Sequence, residues 1–260
     1  MFAEEINFHK QRADVFYERV KACVYSNAVR LNCMFAPSEQ PVPFEKRLEL
    51  QYSRLEPGGR WGQNCSSAWF HITGTVPQKF EGLELALIFD PGGESMIFGN
   101  DGIPVCGLTG GSVFSPNYRK TAFRINGSQK AGDNPLSFFR ETEHPRHAFT
   151  GLLGACDLAV FNRKAWNLQL DLQVLLSLLK ALPEGDWRIR RLLGVLGRAA
   201  DVWNEDPANS GAARGILKEF LDLRPSGAVM TAHGVGHAHI DTGWLWPVRE
   251  TIRKCARSFS

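Results

Sequence analysis

The chain has 260 residues, 43% hydrophobic and 22% charged, with 30 basic against 27 acidic side chains and a formal net charge of +3. That length and apolar fraction support one or two ordinary domains with real cores, and the near balance of charge argues against nucleic acid or an anionic membrane as a partner. No run of 18 apolar residues is present to span a bilayer, and the opening MFAEEINFHKQRADVF carries acids and bases where a secretory signal needs an apolar core.

In chain order, residues 1–45 read as an N-terminal helical segment and linker. Val15, Phe16, Val20 and Cys23 form an apolar stripe, and Pro37, Pro41 and Pro43 then break the pattern into an extended stretch. Over residues 46–135 the period shortens. The runs Ser67–Thr75, Leu83–Phe89 and Ser95–Phe98 are separated by Pro57-Gly58-Gly59, Pro91-Gly92-Gly93, Asn100-Asp101-Gly102 and Gly110-Gly111. Short strands punctuated by such turns indicate an antiparallel β-sandwich. Trp61 and Trp69 are read as core aromatics there, with sugar stacking by Trp61 as the sharper alternative.

Residues 136–226 read as helical. Leu168, Leu172, Leu175, Leu176, Leu179 and Leu182 share one face, Pro183-Glu184-Gly185 stops that helix, and Asp186 is placed to cap the next. Ile189, Leu192, Leu193, Leu196, Ala200 and Trp203 repeat the stripe, and a third helix is expected from about Ala212 to Leu223. The arginines at 188, 190, 191 and 198 read as a solvated face. The six cysteines are scattered without a CxxC pair, which suits reduced thiols in the cytosol.

The informative segment is the last one, residues 227–260. His233, His237 and His239 fall within seven positions, and Asp241, Trp244 and Trp246 follow. Val229 to Ile240 is small and apolar and reads as a buried strand, on which His237, His239 and Asp241 share a face. Imidazole nitrogen and carboxylate oxygen both bind Zn²⁺. Val248, Ile252, Cys255 and Phe259 mark a following helix, with Pro247 at its start. Spacing alone leaves a structural His pair and a metal site evenly matched.

The run Gly-His-Ala-His-Ile-Asp-Thr-Gly-Trp-Leu-Trp-Pro-Val-Arg-Glu-Thr, Gly236 to Thr251, closely resembles the opening of the catalytic domain in glycoside hydrolase family 38, the class II α-mannosidases, and most of all their cytosolic/vacuolar branch and bacterial relatives. The resemblance implies that His239 and Asp241 are metal ligands and that Trp244 packs against the bound sugar, with His237 no ligand. It implies Zn²⁺, or a substitute such as cobalt, as cofactor, and retaining hydrolysis of α-mannose-containing oligosaccharides through two carboxyl groups. No catalytic nucleophile or acid/base is assigned within the chain. Both are expected beyond Ser260, and the chain is read as an incomplete fragment, inactive alone. Arg249 and Glu250 are taken as structural.

The implied fold class is multidomain. An N-terminal helix and an antiparallel β-sandwich, similar to carbohydrate-binding modules, precede a helical linker bundle and the first strand and helix of an α/β barrel-like catalytic domain. The expected partners are mannose-containing glycans, with neither nucleic acid nor membrane, a homo-oligomer being left open, and the expected compartment is the cytoplasm. Two alternatives stand beside this. One is an amidohydrolase-type metal-dependent hydrolase, in which His237 and His239 would be the ligands. The other is a non-catalytic module that binds glycans or mediates assembly.

Overall fold

A computed structural model describes residues 3–62, 66–111, 118–127, 129–132, 138–143, 151–223, 233–244 and 246–260, with only the backbone of residues 3 and 138–143. The chain divides into two compact units, one of residues 1–26 and 161–234, the other of residues 27–160 and 235–260.

The first unit is helical, and its four described helices come from both sides of the sandwich in sequence. Helix α1 (Ala3–Ala22) buries Ala13, Phe16 and Val20 at helical spacing, while Val15, expected in that stripe, is half exposed. Helix α2 (Arg163–Ala181) starts where the Asn162 side chain accepts a hydrogen bond from the Ala165 amide at 3.0 Å. It buries Leu168, Leu172, Leu175, Leu176 and Leu179 as their spacing predicts. Helix α3 (Trp187–Trp203) is capped by Asp186, which accepts from the Arg188 amide at 2.8 Å. Helix α4 (Ser210–Leu221) buries Ala213, Leu217 and Phe220. The Phe16 and Trp203 rings meet at 5.4 Å, so the first and third helices share one core. Arg188, Arg190, Arg191 and Arg198 are all exposed, as expected.

The second unit is built on two antiparallel sheets. One has the order β1 (Tyr25–Arg30), β10 (Ala155–Phe161), β5 (Leu85–Asp90), β8 (Ala122–Arg124). The other has the order β3 (Ser53–Arg54), β2 (Asn32–Ser38), β4 (Ser67–Thr73), β9 (Phe138–Glu143), β6 (Glu94–Phe98), β7 (Pro104–Thr109). Between them Cys33, Phe70 and Ile72 of one sheet meet Leu87, Phe89 and Leu158 of the other. The Phe70 and Phe89 rings lie 5.4 Å apart, nearly perpendicular, and each such fully buried side chain contributes about 1.5–3 kcal/mol.

Three boundaries differ from those read in the sequence. Strands begin at Tyr25, within the stretch expected as linker. Pro37 does not prevent this, because β3 pairs β2 only at Met34 and Phe35, leaving that edge open at Pro37, where a missing N–H costs no ladder bond. The sandwich also continues past 135, through β9 and β10, into the region expected as helical. Finally, the described part of the strand expected over Val229–Ile240 has no regular structure; residues 233–239 are an exposed segment, and 229–232 lie outside the described residues. Cys65, His144 and His147 lie outside them as well.

Trp61 and Trp69 are 3% and 1% exposed. Trp61 donates its Nε1–H to the Pro91 carbonyl at 2.6 Å and packs edge-on against Phe70, so it is a core residue and not a sugar platform. Trp69 lies on the opposite face of β4, donating to the Val42 carbonyl at 2.9 Å and packing with Phe44 and Phe98. The same outer face carries His71, whose ring stands edge-on to Tyr52 at 6.3 Å. Burial there pushes the Tyr52 phenol up to about 12 against the opposing pull of Arg47, and holds the His71 imidazole below its usual range. No described helix is long and apolar enough to cross a membrane.

Candidate functional site

Helix α5 (Val248–Phe259) has the bounds the sequence predicts, but it docks with the other face. Val248, Ile252 and Phe259, expected as its packed stripe, are exposed. The face turned to the sandwich is charged. Glu250, 2% exposed, takes Arg253 at 2.8 Å and Arg257 as partners. Glu94 of β6 accepts from Lys254 at 3.1 Å and from Arg257 at 2.9 Å. Arg253 also reaches the Ser67 hydroxyl of β4 at 3.4 Å. The helix can lie this close because residue 107 of β7 is glycine: a Cβ there would stand 2.3 Å from the Arg257 carbonyl oxygen. Glu250 is structural in this arrangement, as the sequence reading had it, and Arg249 is exposed.

The helix in turn anchors the segment that carries the candidate ligands. The Thr251 hydroxyl accepts from the Gly243 amide and from the Trp246 indole N–H, and donates to the Asp241 carbonyl, each at 3.1 Å. Gly243 has φ +86°, a left-handed conformation that suits glycine, and the Trp244 amide closes the turn on the Trp246 carbonyl at 3.1 Å. Thr251 was part of the motif but had no role in the sequence reading.

On this loop His239 and Asp241 converge: Nε2 stands 3.1 Å from Oδ1. At that distance the pair is an imidazole–carboxylate hydrogen bond; two ligands on one tetrahedral zinc at about 2.0–2.2 Å lie roughly 3.3–3.6 Å apart, a spacing the pair would reach by opening slightly. Both are open to solvent, as is Trp244, 59% exposed, whose ring stands perpendicular to Trp246 at 5.5 Å. His237 is exposed, and no group of three or more metal-capable side chains gathers among the described residues. Imidazole and carboxylate are donor types that suit zinc, and only these two meet here among the described residues. The pairing of His239 with Asp241, two positions on, departs from the His237–His239 pair that the amidohydrolase alternative requires.

The family model described as alpha-mannosidase, jelly roll domain, matches residues 27–146, and that of the glycosyl hydrolases family 38 N-terminal domain matches residues 229–260, which include His239, Asp241 and Trp244. The two segments are thus similar to alpha-mannosidases, the second to glycosyl hydrolase family 38. The chain is 31% identical over 255 residues to alpha-mannosidase 2C1 of Mus musculus, an alignment covering 90% of this chain and 23% of the relative. Alpha-mannosidase 2C1 of Homo sapiens is 29% identical, covering 84% of this chain and 22% of the relative. Alpha-mannosidase G of Dictyostelium discoideum is 26% identical, covering 94% and 23%. The chain thus spans about a quarter of the length of these relatives. The jelly-roll match starts at residue 27, in agreement with strand pairing that begins at Tyr25 and not after 45.

Proposed function

We propose that this chain carries half of the metal site and the sugar-facing indole of a retaining α-mannosidase acting on terminal α-mannosides of oligosaccharides in the cytoplasm. The observation that carries the reading is the 3.1 Å approach of His239 Nε2 to Asp241 Oδ1 beside an exposed Trp244. His239 and Asp241 would hold a zinc, with cobalt as a substitute, that neutralises charge and orients sugar hydroxyls. Trp244 offers a flat apolar face to the C–H side of a mannose ring, and Thr251 ties the backbone of Asp241 and Gly243 and the neighbouring Trp246 indole to one turn.

Two protein ligands are fewer than the three or more usual for a catalytic zinc. The remaining ligands, the nucleophile and the acid/base are assigned to residues outside these 260, in an α/β barrel-like domain of which α5 would be the first helix. The free state of the described cysteines accords with a reducing compartment.

The test is zinc content and hydrolysis of an aryl α-mannoside. The 260 residues alone should bind zinc weakly and turn over none of the substrate. In the full-length protein Asp241→Ala and His239→Ala should each weaken zinc binding by at least the ten- to hundredfold seen when a mere supporting residue is lost, with hydrolysis abolished and folding intact. If His237→Ala removes the metal while Asp241→Ala retains it, the amidohydrolase arrangement replaces this one.

A further inference from the structure

The sandwich does more than support α5. Between the β6–β7 hairpin, the Lys120 strand segment, α5 and the His239 loop lies a cavity of about 380 Å³. That size falls at the small end of ligand pockets, suited to one or two rings. Its walls carry Glu94, Thr109, Lys120, His239, Trp246 and Lys254. Glu94 and Lys254 are already joined at 3.1 Å, and Lys254 also lies 4.5 Å over the Trp246 ring, so these three form a fixed wall. Lys120 lines the same cavity and is exposed. Its backbone is tied to Thr109 in both directions, N–H to carbonyl at 2.9 Å each way, which fixes where its ammonium starts from.

Arg257 lines the cavity too, and with Lys254 it is paired to Glu94; beside those pairs, the Lys120 ammonium, the Glu94 carboxylate and the Trp246 indole around one cavity complement a polyol. The carboxylate accepts from hydroxyls, the ammonium donates to them, the Thr109 oxygen, whose hydrogen goes to the Gly111 carbonyl, can accept, and the indole covers the apolar face of a ring. The cavity has His239 in its wall, so it opens onto the proposed metal pair. Resting on the mannoside reading above, we infer that the jelly-roll domain supplies a second sugar subsite here, in which Lys120 and Glu94 hold the ring linked to the mannose at His239 and Asp241. The sandwich would then select for a disaccharide unit over a single mannose through residues that lie outside the matched catalytic segment.

The experiment titrates these 260 residues, which should turn over no mannoside, in saturating zinc, with an α-linked mannobiose and with methyl α-mannoside, following ligand line broadening by NMR. Lys120→Ala is the clean variant, because the side chain is exposed and its pairing to Thr109 is by backbone. It should weaken mannobiose at least about tenfold, the loss expected for a charge-assisted hydrogen bond. It should leave methyl α-mannoside within about twofold and zinc uptake unchanged, while Lys79→Ala, elsewhere on the sandwich, should change neither ligand. Equal binding of mannobiose by wild type and Lys120→Ala overturns the subsite, as does displacement of the sugar by equimolar inorganic phosphate, which would make the cavity an anion site. Failure of the metal reading appears separately, as zinc uptake that survives His239→Ala and Asp241→Ala.

Discussion

Thr251 contributes one hydroxyl to three hydrogen bonds, and they fix the carbonyl of Asp241, the amide of Gly243 and the indole of Trp246. Removing the hydroxyl leaves the Gly243 and Trp246 donors without that partner, at about 1 kcal/mol for each bond lost. Thr251→Val should weaken zinc binding by about ten- to hundredfold, as loss of a supporting residue does, and Thr251→Ser should restore it. A Val variant with wild-type zinc affinity would show that the loop holds its shape without the hydroxyl. Residue type alone does not reveal this role. Thr in a first helical turn ordinarily bonds its own neighbours, and nothing in the spacing points to a carbonyl ten positions back. The approach of His239 to Asp241 was expected from strand alternation, but this segment is not a strand, and the loop held by Thr251 brings the two together instead. The core role of Trp61 was legible for a simpler reason: a large apolar ring between turn signals is most easily buried.

At the level of the element, α5 shows what periodicity can and cannot say. Its length was read correctly, residues 248–259, and so was its amphipathic character. Its orientation was not. A stripe of Val248, Ile252 and Phe259 argues for an apolar partner, yet the sandwich offers Glu94, and the helix answers with Lys254 and Arg257 around its own buried Glu250. Which face docks depends on the partner surface, and that information lies 160 residues away in sequence. Close approach is the condition for this docking. Gly107→Ala would place a methyl carbon against the Arg257 carbonyl, which is backbone and cannot swing aside. Overpacking of this kind costs about 1–3 kcal/mol, so amides of residues 252–259 should exchange about five- to a hundredfold faster. The central strands β4 and β5 should keep their protection. Unchanged exchange in α5 would mean that the ion pairs, and not the fit at Gly107, hold the helix.

For the whole molecule, the sequence shows two kinds of segment but not their nesting. The strands of 67–98 and the leucine stripes of 168–203 were plain because each pattern is local. The helical unit is discontinuous: α1 joins α2, α3 and α4 across the entire sandwich, through contacts such as Phe16 with Trp203. No local period carries that pairing, and prolines at 37, 41 and 43 favour a linear reading with a linker. The two cores have no residue in common, and this makes their independence measurable. Phe16 is 4% exposed and fills the helical core. Phe16→Ala should cost about 3–5 kcal/mol there, lowering the protection of α2, α3 and α4 amides together. The Phe70–Phe89 core has lost nothing by that change, so β4 and β5 should exchange as in the wild type. If instead the strands lose protection in parallel with the helices, the two cores unfold as one cooperative body, and α1 stabilises the jelly roll as well as the helical unit.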